Sequence, residues 1–67
     1  MKVAQRIKEL RQERGLTQIQ LAKLVGCSQP MIVMWEKEEC EPTAGAIVKL
    51  SEALNCTTDY LLGKTDI

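Results

Sequence analysis

The sequence predicts an all-α chain of five short helices, and three observations carry that expectation. Apolar residues recur at spacings of three and four along most of the chain, with no strand-like alternation of apolar and polar positions. Thr or Ser precedes nearly every periodic stretch, and Gly, Asn or Pro follows it, the punctuation of helix starts and stops. Phe is absent and the chain has one Trp and one Tyr, so a core must be built from Leu, Ile, Val and Ala, which short helices accommodate. At 67 residues the chain reads as one domain, in a size range that buries only ~60% of its unfolded surface.

In order, Val3, Ala4, Ile7, Leu10 and Arg11 share one face of a first helix over roughly 2–14, and Gly15 follows as its C-cap. Thr17 is the expected N-cap of a second helix running to about Val25, with Leu16 and Leu21 placed to form a hydrophobic staple across it. Leu21, Ala22, Leu24 and Val25 fit its inner face. Gly26 takes the turn, because a glycine enters the left-handed region without a Cβ clash, and Ala22 leaves room for a neighbouring helix to approach. Ser28 is the expected cap of a third helix reaching about Lys37, with Pro30 in its first turn, where a missing N–H breaks no intrahelical bond. The pair and its tight turn form a helix-turn-helix. Glu38 to Pro42 is a polar loop; Thr43 then caps a fourth helix carrying Ile47, Val48, Leu50, Ser51 and Leu54, with Asn55 as a left-handed C-cap. Thr57 or Thr58 caps a short fifth helix around Asp59 to Leu62, Gly63 ends it, and residues 63–67 are expected to fray.

Composition removes several functions. With no His, and with Cys27, Cys40 and Cys56 lacking close C-x-x-C pairing, neither a zinc finger nor a Ser/His or Cys/His catalytic pair has its residues. No catalytic set, metal or cofactor is expected, and the chain is read as a non-enzyme without a small-molecule substrate. Cys27 and Cys56 are expected as small core residues, and Cys40, among glutamates, as exposed. MKVAQRIKEL is interrupted by charge from its start and no apolar run is long enough for a membrane span, so a cytoplasmic chain without membrane contact is expected. The zero net charge conceals an asymmetry: seven basic face three acidic residues up to residue 37, and two face six beyond it. Such a distribution attracts a polyanion to one end of the molecule, although it also arises when surface charge simply falls unevenly.

The third helix is where information is concentrated. With Ile32 facing the core, rotation by about 100° per residue puts Trp35 and Glu36 on the inner side, Pro30, Met34 and Lys37 nearly opposite, and Met31 and Val33 on the flanks. Gln29 projects from the helix start. An exposed cluster of this kind suits base edges in a major groove: glutamine bonds N6 and N7 of adenine, and apolar side chains pack on the thymine methyl. The same residues would also serve if neighbouring helices or a protein partner covered them. Glu36, beside Trp35, requires a partner, and Arg11 on the inner face of the first helix is the candidate.

With these residues placed, the chain resembles the phage-repressor (Cro and repressor) helix-turn-helix family, through RIKELRQERGLTQ (6–18), LAKLVG (21–26), SQPMIVMWE (28–36) and ALNCTTDYLLG (53–63). Within it the sequence is most similar to repressors of lambdoid phages such as P22. The resemblance implies a compact five-helix repressor-like domain over residues 1–67. It implies sequence-specific binding to double-stranded DNA, as a homodimer on a palindromic or pseudopalindromic operator, by a transcriptional regulator of repressor type. By alignment, Gln29, Pro30, Met31, Val33 and Met34 read bases; Gln18 holds a phosphate, with Thr17 and Lys37 beside it; and Arg11 with Glu36 forms a structural ion pair. Leu61, Leu62 and Ile67 are the expected dimer surface. The rival reading is a protein-interaction module of the same fold, such as an antitoxin. The chain departs from the family at Glu38, Glu39, Cys40 and Glu41, where many members have a Gly and phosphate-gripping basic residues. Fewer phosphate contacts imply a shallower salt dependence, since the slope is ~−0.9 per contact.

Overall fold

The computed structural model describes residues 2–66 and contains five helices and, among those residues, no strand: α1 (Lys2–Glu13), α2 (Gln18–Val25), α3 (Gln29–Glu36), α4 (Ala44–Ala53) and α5 (Thr58–Leu62). Thr17, Thr43 and Thr57 each cap a helix, their hydroxyls accepting from the backbone N–H groups of Gln20, Ala46 and Tyr60. At α2 the cap is reciprocal, because the Gln20 side chain also accepts from the Thr17 N–H at 2.8 Å. Ser28 occupies the N-cap position of α3, but its side chain makes no capping bond, contrary to expectation. The reason is local: Pro30 offers no N–H, and the Met31 N–H is already bonded to the Ser28 carbonyl.

Every helix sends residues into one core, whose fully buried side chains are Ile7, Leu21, Ile32, Leu50, Leu54 and Leu61. Helix α1 packs on α3 and α5, α2 on α3 and α4, and α4 on α5, so α3 is held from two sides. Leu24 does not join them. It is 60% exposed, because the buried arc of α2 runs through Leu21, Val25 and Ala22, and Leu24 lies about 100° round from Val25.

Three further points differ from the sequence reading. Cys40 is half-buried, packed on the core and lining, with Cys27, Met31 and Trp35, an open groove of about 470 Å³. The loop after α3 folds back over Trp35, which draws Cys40 inward despite its acidic neighbours. Cys27 and Cys56 are half-buried rather than fully enclosed, and burial pushes both thiols up, which keeps them protonated at neutral pH. Residues 63–66, expected to fray, are fastened to α1: the Arg6 guanidinium donates to the carbonyls of Tyr60 and Thr65 and to Asp66, and lies 4.1 Å from the centre of the Tyr60 ring. Ile67 lies outside the described residues. Arg6 is therefore committed internally, and the basic character expected of the first half is partly used in holding the fold.

Candidate nucleic-acid interface

The candidate surface is built on the turn between α2 and α3. Gly26 adopts φ +85° and returns its N–H to the Ala22 carbonyl at 2.8 Å, and the next residue, Cys27, bonds to the same carbonyl at 2.9 Å. Both bonds end α2 sharply and launch α3 across it, with Ala22 buried where a larger side chain would keep the helices apart. A Cβ on Gly26 would meet no atom within 4 Å, so substitution strains only the backbone. Gly26→Ala is accordingly expected to lower stability by ~1–2 kcal/mol. Thermal unfolding checks this, and an unchanged melting temperature would show that the turn does not need its left-handed geometry.

Behind α3, Ile32 and Trp35 are buried and Glu36 is tied to α1. The Arg11 Nε and Nη2 groups donate to Oε2 and Oε1 of Glu36 at 2.7 and 3.1 Å, and Arg11 Nη1 donates to the Leu16 carbonyl at 2.9 Å. With side-chain exposures of 12% and 5%, this is a two-point ion pair inside the fold, and no buried side-chain polar atom among the described residues lacks a hydrogen-bond partner. It ties the end of α3 to α1 beside the buried Trp35.

The opposite side of α3 opens outward, though less uniformly than helical rotation implies. Gln29, Pro30 and Lys37 are exposed; Met31, Val33 and Met34 are half-buried. Met31 is drawn onto the core beside Cys27 and Trp35, so its outward reach is smaller than its wheel position indicates. Lys37 is the C-cap of α3, its backbone N–H bonded to the Val33 carbonyl, which leaves the ammonium as its external group. Thr17 is exposed, with its hydroxyl oxygen accepting from Gln20. Gln18 is half-buried and does more than the sequence indicates: its amide donates to Glu36 Oε1 at 3.2 Å, and its oxygen accepts from Gln29 Nε2 at 3.5 Å. No spacing rule links residues 18, 29 and 36, because the three lie on two helices whose crossing brings them together.

In the loop after α3, Glu38 adopts φ +62°, a conformation that a glycine takes more readily. That loop is acidic; Lys37, at the end of α3, is exposed, and Lys49 lines the groove that Met31 and Cys27 border.

A helix-turn-helix family model matches residues 7–61. The chain is 40% identical over 60 residues to repressor protein C2 of Salmonella phage P22, which covers 90% of this chain and 28% of that protein. It is 34% identical over 67 residues to the HTH-type transcriptional regulator ImmR of Bacillus subtilis (strain 168), covering all of this chain and 53% of the regulator. The chain thus spans between about a quarter and about half the length of these two relatives. Among solved structures, the crystal structure of the P22 c2 repressor in complex with a synthetic operator superposes with a TM-score of 0.85 at 39% identity, over 88% of this chain and 89% of that one.

Proposed function

The chain belongs to the helix-turn-helix family, and on that premise we propose that residues 1–67 form one DNA-binding domain of a transcriptional regulator, acting as a repressor. Its target is a double-stranded operator, read in the major groove by α3. The observation that carries this reading is the two-sidedness of α3: Ile32, Trp35 and Glu36 fasten it to the fold, while Gln29 and Pro30 stand exposed at its N-terminal end. A recognition helix meets base edges with its N-terminal residues. Gln29 addresses adenine, Pro30 and Val33 offer apolar contact to thymine methyls, and Met34 and the accessible part of Met31 extend the apolar surface. Gln18, Thr17 and Lys37 lie beside the groove-facing side as phosphate partners. The chemistry is recognition alone, without a catalytic step, and the setting is the cytoplasm.

Half-sites about one DNA turn apart, roughly 34–36 Å, require a pair of α3 helices and hence a homodimer. Leu61 is fully buried in the core and cannot serve as its surface; Leu62, 43% exposed, and Val48, 50% exposed, border a shared groove and are the better contacts. The protein-partner reading draws on Ile19 and Leu24, which are 50% and 60% exposed on α2. No retention of random duplex DNA at low salt, together with co-purification of a stable protein partner, would favour it.

Gln29→Ala is expected to weaken binding to the selected operator by ~1–3 kcal/mol and to relax preference at one base pair per half-site. Fluorescence anisotropy with operator and random duplexes checks this. Equal weakening on both duplexes would remove the base-reading role.

A further inference from the structure

Resting on the reading of Gln29 as a base reader, we propose that the Glu36 carboxylate, which touches no DNA in this arrangement, sets the hydrogen-bond polarity that Gln29 shows to a base. The geometry is a relay from α1 through α3 and α2 to the start of α3. Arg11 grips both oxygens of Glu36, Gln18 Nε2 lies 3.2 Å from Glu36 Oε1, and Gln29 Nε2 lies 3.5 Å from Gln18 Oε1.

Chemistry fixes the direction of every link. An ionised carboxylate only accepts, so the Gln18 atom facing it must be the NH₂ group. The other end of the Gln18 amide is then an oxygen, which only accepts, so Gln29 must in turn present its NH₂ group to Gln18. One N–H of Gln29 is thereby committed inward. What remains outward is the Gln29 oxygen beside its second N–H, an acceptor–donor pair. Adenine offers the complementary N6–H donor and N7 acceptor, whereas guanine offers two acceptors, O6 and N7, and sets O6 against the Gln29 oxygen. A glutamine without this relay turns its amide over freely and discriminates less between the two purines. Glu36 is thus a positioning residue for specificity, in addition to fixing α3 on α1.

Replacing the carboxylate by an amide reverses the relay. In Glu36→Gln the single remaining side-chain oxygen is taken by Arg11, so the new NH₂ group faces Gln18. Gln18 turns its oxygen to it and its NH₂ toward Gln29, and Gln29 turns its oxygen inward and its NH₂ outward. The order of the outward edge is then reversed, with an N–H where the oxygen stood: that N–H opposes the N6–H of adenine and donates to O6 of guanine. In Gln18→Met the relay is cut while the Arg11–Glu36 pair stays whole.

The test is selection from a library of randomised DNA duplexes by the whole chain and by Gln29→Ala, Gln18→Met and Glu36→Gln, reading base ratios rather than affinity. Gln29→Ala identifies the position that residue 29 reads. At that position the adenine-to-guanine ratio is expected to fall roughly tenfold in Gln18→Met and to turn in favour of guanine in Glu36→Gln. A merely structural role for Glu36 lowers affinity and leaves the ratio unmoved. If Glu36→Gln does not fold, as judged by circular dichroism, Gln18→Met decides alone: an unchanged ratio overturns the relay and a lowered ratio supports it. An unchanged ratio in both variants, with one position relaxed by Gln29→Ala, removes the relay and keeps Gln29 as a base reader. If Gln29→Ala relaxes no position, the base-reading role falls and the relay with it.

Discussion

Arg11→Ala is expected to cost ~3–5 kcal/mol, the penalty for leaving a buried carboxylate without its partner. Glu36 is 5% exposed at its side chain, so water does not replace the guanidinium, and the Leu16 carbonyl loses its donor as well. A chain of this length has a total stability of roughly 3–10 kcal/mol, so the variant would be substantially unfolded at 37 °C. Urea unfolding followed by circular dichroism measures the loss. The penalty belongs to the orphaned charge more than to the pair itself. Converting both residues to methionine should therefore recover much of it, since apolar replacements of a buried ion pair are often close to neutral. If Arg11→Ala alone lost less than about 1 kcal/mol, Glu36 would have to reach solvent or another cation. DNA binding separates the two roles, because the double methionine variant keeps the fold and loses the acceptor on which Gln18 depends.

Leu50→Ala is the second large effect, at ~2–5 kcal/mol. Leu50 is fully buried on α4, packed among residues that α1, α2, α3 and α5 also supply. Deleting its isobutyl group removes apolar burial and leaves a void that five short helices can close only by shifting against one another. The control is Leu24→Ala. Leu24 carries the same side chain and fits the inner-face pattern in sequence, yet it is 60% exposed, so its truncation should stay within about 0.5 kcal/mol. Comparable losses at the two positions would contradict this packing.

The contrast between Leu50 and Leu24 shows why the sequence is read only so far. Helical periodicity gives a direction around an axis, and Leu24 and Val25 both lie within a plausible apolar arc. Which edge of that arc is covered depends on where α3 and α4 cross α2. Met31 and Cys40 illustrate the same limit from the other side: a flank position and a residue among glutamates are both drawn inward, because the loop after α3 returns over Trp35.

Legible from the chain alone were the five helices and most of their ends. Capping threonines, a proline without an N–H and glycines at positive φ act within a turn or two of backbone, so their effect is independent of the rest of the molecule. The Arg11–Glu36 pair has a different basis: a carboxylate beside a buried tryptophan has to be neutralised, and the apolar stripe of the first helix carries Arg11 on the same face. Tertiary structure alone decided the Arg6 anchor on residues 60–66 and the Gln18 bridge between Glu36 and Gln29. Those contacts join residues distant in sequence, and their distances follow from interhelical angles that the packed core sets. The sequence determined which residues α3 carries and which of its faces is held; the tertiary structure decided how the held face reaches, through one carboxylate and two amides, to the face that is shown.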